Sequence, residues 1–331
     1  ASDLDLDIGR GEARLPSVTN TPMLLESGAL KIHYTAEARR LTLKPSTLNW
    51  ADSHIVLQGA IASDPPSDGP PQWRFDIQSV EGALSSGEFN VSPMPIESFA
   101  ASGRVIPAEG LVQLSEFVLN AGGGAVTANG EVISGDGQSS TRLEAAMTPM
   151  PLATLKAMWP RAAAPAARKW VGEQVTHANL QGASLKVLSG RFLEGATDGD
   201  ASAGAGRERI SASIDITDLN MSPLPRSLPL EAPRAVIRLE NSTLEVNVPE
   251  AAIVASPEHR LPLTGVRLTV VDLRHDAPIA ELALKSKTTL PVLIETLNRS
   301  QLHLAGQGPL PIEGVEGKVD GEIKIGMPLV N

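Results

Sequence analysis

Apolar and polar residues alternate along most of this chain with a period of two. Leu30 and Ile32, for example, alternate with Lys31 and His33. Successive side chains of a β-strand point to opposite faces of its sheet, so this pattern predicts strands with one apolar and one polar face. Antiparallel sheets are the usual setting for such strands. The same alternation recurs over residues 73–77, 210–217 and 315–325.

About fifteen alternating runs are separated by short Gly, Asn, Asp and Pro signals. A parallel α/β protein would need a helix between consecutive strands, but helical patterns occur only at residues 150–158, 164–175 and 291–298. The first ends before Pro160, and the other two carry a proline near their first turn, where it is tolerated. The sequence therefore predicts a mainly β protein with about three short helices. The first two form a helical insertion at residues 149–176.

Two segments predict surface loops. Residues 63–71 and 194–206 are rich in Pro, Gly, Asp, Ser and Ala and carry almost no bulky apolar side chain. The second loop, at 194–207, is either a boundary between two sub-sections or a long hairpin loop within one continuous sheet, and we favour the hairpin.

Three short proline motifs recur at residues 92–96, 148–152 and 222–225. Each follows a strand-like run and has prolines at alternate positions. Because proline has no N–H to donate to a central ladder, we predict that a strand leaves the sheet at each copy.

The composition excludes several classes of function. With 28 basic and 38 acidic side chains the formal net charge is -10, which argues against a nucleic-acid partner, since phosphate binding needs clustered Lys and Arg. Aromatic residues make up 3%, too few for a platform that stacks bases or sugars. The absence of cysteine excludes disulfides and thiolate sites. No apolar run reaches the roughly 18 residues that cross a membrane. The sequence begins at Ala1 in a strand-like run, so we expect an internal segment of a longer protein.

A search for catalytic and metal-binding motifs finds no convincing site. The six histidines are scattered, and none has the HxH, HxxxH or HExxH spacing of a metal site. In Asp52-Ser53-His54, neighbouring side chains would point to opposite faces of a strand, and no GxSxG motif occurs. The glycines at 122–124 lie between strands and predict a turn. Three aspartates of the first strand share a face that we interpret as solvated: Asp3, Asp5 and Asp7. We therefore predict no enzyme activity, no cofactor and no metal.

Two regions of the chain resemble a known family. The first is Thr148–Pro160 (TPMPLATLKAMWP) with Pro165–Val171 (PAARKWV). The second is the tail LPVLIETLN at 290–298, GQGPL at 306–310 and GKVDGEIKI at 317–325. Both regions resemble AsmA-like bacterial envelope proteins of the YhdP type, whose relatives include the TamB-type bridge-like lipid-transfer proteins.

The resemblance implies a long curled antiparallel β-sheet, shaped like a groove or a taco, with residues 1–331 as one extended segment. It implies a periplasmic body held at the inner membrane by an N-terminal anchor outside this sequence. Phospholipids would move along the groove between the inner and outer membranes, supporting outer membrane biogenesis. The partners would be phospholipid acyl chains, the inner membrane and other envelope proteins. No catalytic residue comes with the resemblance.

The apolar positions of the predicted strands are the candidate lining of such a groove. A phospholipid carries roughly thirty chain methylenes worth about 0.8 kcal/mol each, so shielding both chains from water is worth on the order of 20 kcal/mol. The same alternation would arise if two sheets packed into a closed β-sandwich, which would serve as a non-catalytic structural or assembly scaffold of the envelope. The candidate lining residues are Leu30, Ile32, Leu41, Leu43, Ile55, Leu57, Phe75, Ile77, Ile210, Ile214, Ile237, Leu239, Val266, Leu268, Ile323 and Ile325.

Overall fold

A computed structural model describes most of the chain. The described residues are 1–13, 23–50, 53–64, 70–86, 89, 91–135, 138–159, 165–193, 208–223, 227–273, 278–300 and 310–328. The loop at 194–207 lies outside them, and so does the centre of the loop at 63–71.

Within the described ranges, seventeen strands form one large antiparallel sheet that is not closed, and two short strands form a separate pair. The strands of the first half are β1 (Ser2–Ile8), β2 (Gly11–Ala13), β3 (Met23–Leu25), β4 (Ser27–Thr35), β5 (Arg40–Trp50), β6 (Ser53–Asp64), β7 (Gln72–Ser86), β8 (Val91–Ile106), β9 (Leu111–Ala121), β10 (Gly124–Gly135), β11 (Gln138–Met147) and β12 (Met150–Pro151). The remaining strands are β13 (Val175–Leu188), β14 (Arg209–Met221), β15 (Leu230–Glu240), β16 (Thr243–Val254), β17 (Arg260–Val271), β18 (Ile279–Thr289) and β19 (Lys318–Pro328). The mainly β prediction is confirmed.

Three α-helices occur among the described residues, close to the predicted positions. They are α1 (Leu152–Met158), α2 (Pro165–Gln174) and α3 (Leu290–Arg299). The first begins two residues later than predicted because Met150 and Pro151 still pair as β12. Pro291 lies in the first turn of α3, where its missing N–H leaves no intrahelical bond unmade.

The chain divides into two compact units. Unit 1 comprises Ala1–Arg168 and Ser184–Ile210, and unit 2 comprises Lys169–Ala183 and Ser211–Asn331. In unit 1, β1 pairs with β4, and β4 to β11 pair in chain order. In unit 2, β14 to β19 also pair in chain order. From β4 to β11 and from β14 to β19 the strands therefore form meanders, in which each strand pairs with the strand that precedes it in sequence.

The proline prediction is wrong at its first copy. Pro93 and Pro95 lie inside β8, and Pro95 pairs with Ala83 of β7. The ladder between β8 and β9 begins only at Ile96, so both prolines occupy a stretch with no β9 ladder beside it. A proline is tolerated there because no donor is needed on that side. At the second copy the chain passes into α1, and before the third copy β14 ends at Met221.

The buried core of unit 1 lies beneath α1. Ala157 of that helix joins Ile55, Leu84, Ile96 and Ala121 in one cluster. The four strand residues come from β6, β7, β8 and β9, so α1 covers one end of these strands. Half-buried side chains around the cluster are Leu48, Trp50, Leu57, Met94, Phe99, Leu119 and Met158.

Irregular pairing brings neighbouring backbones of unit 1 unusually close. At Gly103, where the β8–β9 register shifts, an added Cβ would lie 2.0 Å from the Gln113 carbonyl oxygen and 2.7 Å from the Phe75 ring. At Gly59 it would lie 2.1 Å from the Asp76 carbonyl oxygen. Glycine is required at both positions because any side chain would separate the strands.

Candidate functional site

Directly opposed residues in unit 1 form an apolar row that crosses nine strands. Antiparallel partners place their side chains on the same face of a sheet, so the register identifies the row directly. From β1 to β11 it consists of Leu4, Ile32, Leu43, Gly59, Ile77, Ala101, Phe117, Ala128 and Ala145. Every member is apolar, although the residues come from strands up to 141 positions apart.

A second row runs beside the first and is also apolar, apart from the serine at its start. After Ser2 in β1 it continues through Tyr34, Leu41, Ile61, Phe75, Gly103, Leu114, Gly130 and Leu143. The predicted residues Leu30, Ile55 and Leu57 belong to the same face, because Leu30 opposes Leu6, and Ile55 and Leu57 alternate with Gly59 along β6. The eight predicted residues between Leu30 and Ile77 therefore share one face, which we call the apolar face of unit 1.

Unit 2 has an apolar face of its own. One row comprises Ile214, Ile237, Val246, Leu268, Leu282 and Ile325. The next comprises Ala212, Leu239, Leu244, Val270 and Ala280. Val266 opposes Val248 and Ile323 opposes Leu284 on this face. Ile210 is the C-terminal residue of unit 1, and it alternates along β14 in phase with Ala212 and Ile214.

Most of the predicted lining residues are partly exposed to solvent. Thirteen of the sixteen are half-buried. Ile55, beneath α1, is 6% exposed, whereas Ile323 and Ile325 of β19 are 45% and 44% exposed. Residues in the middle of a closed sandwich would be almost fully buried, since protein interiors are close-packed.

Helix α1 covers one end of the apolar face of unit 1. Beneath α1 its residues are buried, as Leu84 and Ile96 illustrate at 7% and 8% exposure. Towards the other end of the strands Tyr34 and Ile61 are each 37% exposed, and Val112 is 47% exposed. This end presents a broad apolar surface without a cover among the described residues.

Two serines on the apolar face of unit 1 form hydrogen bonds with the backbone through their hydroxyls. Ser46, 1% exposed, accepts a bond from the Lys31 N–H at 2.9 Å and donates to the Lys44 carbonyl at 2.7 Å. Ser79 accepts a bond from the Phe99 N–H at 2.9 Å. Both serines lie where the register shifts, so their hydroxyls replace ladder bonds that the bulges remove. They therefore add little polarity to the face.

The opposite face carries the charges. In unit 1, Asp3 accepts hydrogen bonds from Lys44 Nζ at 2.8 Å and from His33 Nδ1 at 2.9 Å, and these bonds lower the pKa of the Asp3 carboxyl. In unit 2, Arg234 binds both carboxylate oxygens of Asp215, at 3.1 and 2.6 Å, and thereby lowers its pKa. Strand alternation thus separates charge from apolar surface in both units.

The described residues provide no alternative chemical centre. Ser53 Oγ donates to the Ser85 carbonyl, His54 is exposed, and Asp52 lies outside the described residues. Within the described part of the chain, no group of three or more His, Asp or Glu side chains is placed to hold a metal ion. None of the described helices is long and apolar enough to cross a membrane.

Sequence reasoning identified part of each apolar face and missed the rest. The missed members of the rows include Ala101, Ala128, Ala145, Val246 and Leu282. A signal existed for Ala145, since Leu143 and Ala145 alternate with the charged residues Arg142 and Glu144. Alanine and glycine are weak markers of an apolar face, and only the register assigns them to it.

No protein-family model, no curated protein and no solved structure matches this chain.

Proposed function

We propose that this chain is a periplasmic segment of an AsmA-like envelope protein and that its apolar faces hold the acyl chains of phospholipids in transit between the inner and outer membranes. The observation that carries the proposal is that most members of the apolar rows in both units are half-buried or exposed, although Val270 and Ala280 are buried. The function is binding and transfer, without catalysis, and an anchor elsewhere in the full-length protein would hold the segment at the inner membrane.

The energetics favour a lipid occupant for such a surface. Half-exposed aliphatic rows leave apolar area in water, and each square ångström removed from water contributes about 25 cal/mol. The acyl chains of a lipid would cover this apolar area, and the chains would themselves be shielded from water. The cost of exposing a phospholipid's chains, on the order of 20 kcal/mol, would be largely avoided along such a face.

The dimensions of the apolar face of unit 1 also suit an acyl chain. Nine strands give eight spacings of about 4.8 Å, or about 38 Å measured across the strands. One leaflet of a bilayer's hydrocarbon core is about 15 Å thick, so the face is longer than one chain. Backbone-bonded serines and aliphatic neighbours offer few polar contacts that would trap a lipid at one position.

The closed scaffold makes a different prediction for the same residues. In a dry β-sandwich the members of each row would be sealed against a second sheet and almost fully buried. The half-exposure of Leu268, Ile237 and Ile32 favours an open face.

The test is lipid binding by the purified protein with two matched variants. Ile214→Glu places a carboxylate on the apolar face of unit 2, whereas Ser213→Glu places one on the polar face, directly opposite Arg238. Both substitutions lie in β14, both positions are half-buried, and the charge change is identical. Lipid would be measured by mass spectrometry of organic extracts and by titration with a fluorescent diacyl phospholipid.

We expect the unmodified protein and Ser213→Glu to carry diacyl lipid with similar affinity. Ile214→Glu should weaken binding roughly tenfold or more, because a carboxylate desolvated against a lipid chain costs more than the 1.4 kcal/mol that a factor of ten represents. Absence of lipid binding by the folded, unmodified protein would refute the proposal and leave the closed scaffold. Equal binding by both variants would show that lipid does not occupy this face.

A further inference from the structure

Helix α3 lies across one end of the strands of unit 2. It begins directly after β18, and its last residue, Arg299, donates a hydrogen bond from Nη1 to the carbonyl of Ala255, just beyond β16, at 3.1 Å. Ten helical residues are about 15 Å long, which equals about three spacings between neighbouring strands. The helix therefore passes from β18 over β17 to the end of β16, and it contacts both β17 and β18.

The residues of β17 beneath α3 belong to the apolar face of unit 2. In β18, Lys285 alternates with the residues of that face, and it opposes Thr264 of β17. The neighbouring Leu263 therefore points to the apolar face, and Leu261 does so by alternation. Leu261 and Leu263 are 8% and 3% exposed, whereas Pro262 and Thr264 are exposed on the other side of the strand. Because α3 packs against β17 and β18, it covers this buried leucine pair.

Helix α3 is packed less tightly than α1. Leu152, Thr154 and Ala157 are buried among the seven residues of α1. Of the ten residues of α3, all of which the structure describes, Thr296 alone is buried. The large apolar residues of α3 are all half-buried: Leu290, Val292, Leu293, Ile294 and Leu297. Part of the apolar area of α3 therefore stays in water, which lowers the cost of moving the helix away from the sheet.

A polar contact at the far end of α3 ties the helix to the turn after β16. Besides its bond to the Ala255 carbonyl, the Arg299 guanidinium donates its Nε–H to Glu295, one helical turn earlier. The Arg299 side chain is 52% exposed. Water can replace such a bond when the helix moves, so the bond contributes little net stability. Half-buried apolar side chains and this exposed contact thus hold α3 on the apolar face.

We propose that α3 is a displaceable lid on the apolar face of unit 2 and that acyl chains compete with it for contact with Leu261 and Leu263. This inference rests on the proposed function. Lipid chains offer the same aliphatic contacts as the side chains of α3, and both cannot occupy one surface at the same time. The measured affinity for lipid is then the intrinsic affinity multiplied by the fraction of molecules in which α3 is displaced.

The test variant is Arg299→Gln, which removes the contact with Ala255 and leaves every apolar residue of α3 in place. The matched control is Lys169→Gln, which removes the cation of an i,i+4 pair with Glu173 in α2 and changes the charge equally. Titration with a fluorescent diacyl phospholipid measures binding by both variants and the unmodified protein, and circular dichroism confirms that each is folded. Hydrogen exchange followed by mass spectrometry measures the protection of α1 and α3 with and without lipid.

We expect Arg299→Gln to bind lipid about two- to tenfold more tightly than the unmodified protein, since the loss of one net hydrogen bond changes the closed population by about that factor. The control should bind like the unmodified protein. Saturating lipid should raise hydrogen exchange in α3 and leave α1 protected. Tighter binding is the distinctive result, because loosening a helix that merely supports the lipid-binding face would weaken binding.

The outcomes separate the lid from the proposed function. Equal or weaker lipid binding by Arg299→Gln, or hydrogen exchange in α3 that lipid does not raise, would overturn the lid and leave the proposed function intact. If none of the three folded proteins binds lipid, the proposed function fails and the lid fails with it.

Discussion

Substitutions at two positions of β17 test whether the apolar face of unit 2 is open to solvent. Leu268 and Val270 lie two residues apart in β17 on the same face. Leu268 is half-buried, between Val246 and Leu282, whereas Val270 is 2% exposed, between Leu244 and Ala280. Glutamate at either position changes the charge by the same amount, so only the surroundings differ.

The expected costs differ by several kcal/mol. A fully buried Leu contributes about 1.5–3 kcal/mol, so Leu268→Glu should lose about 1 kcal/mol of apolar burial while its carboxylate reaches solvent. Val270→Glu would lose about 1.5 kcal/mol of burial and would also desolvate an unpaired carboxylate, which costs several kcal/mol more. The sum, about 5 kcal/mol or more, is comparable with the whole stability of many domains.

Urea unfolding followed by circular dichroism measures both variants against the unmodified protein. We expect Leu268→Glu to unfold cooperatively at a slightly lower urea concentration, and Val270→Glu to be unfolded or close to it without urea. If Leu268→Glu were as damaging as Val270→Glu, the face would be sealed in solution. The argument for an acyl-chain surface would then fail.

Two further predictions concern the sheet itself. Ser46→Ala should destabilise unit 1 by about 2 kcal/mol, because it leaves the Lys31 N–H and the Lys44 carbonyl unpaired. Ser27→Ala, which removes an exposed bond from Asn49, should cost under about 0.5 kcal/mol; equal losses in urea unfolding would contradict the bulge-repair role of Ser46. The bidentate contact from Arg234 lowers the pKa of Asp215 below its usual 3.8. The ion pair therefore contributes its full stabilisation of the folded state above that pH, and this contribution disappears as the pH falls through the folded-state pKa. The stability difference between the unmodified protein and Asp215→Asn should therefore be constant from pH 7 to about 5 and shrink towards pH 3, and a difference independent of pH would show that the pair does not act through ionisation.

The alternation of side chains predicted more of the molecule than its motifs did. Residues 30–34 and 210–217 were assigned to strands, and their faces were assigned correctly, because alternation is a property of the backbone that needs no partner. The helices were located by proline and helical periodicity, although the start of α1 was displaced by the short β12 pair. Sequence patterns predict a strand or helix correctly where its formation depends on residues close together in the chain.

The first proline motif shows where prediction from local sequence fails. Pro93 and Pro95 were expected to end a strand, yet β8 continues through them. Whether a proline is tolerated depends on whether a neighbouring strand needs its N–H, and β9 provides a ladder only from Ile96 onward. That neighbour belongs to another part of the chain.

The sequence by itself determined most of the strands, their two-sided character and part of each apolar face. The tertiary structure decided which strands are neighbours, where bulges interrupt them and how far helix α1 covers the apolar face of unit 1. The physical reason is how far apart in the chain the interacting residues lie. Alternation is set by the geometry of adjacent residues, whereas pairing and burial depend on contacts between residues far apart in the chain.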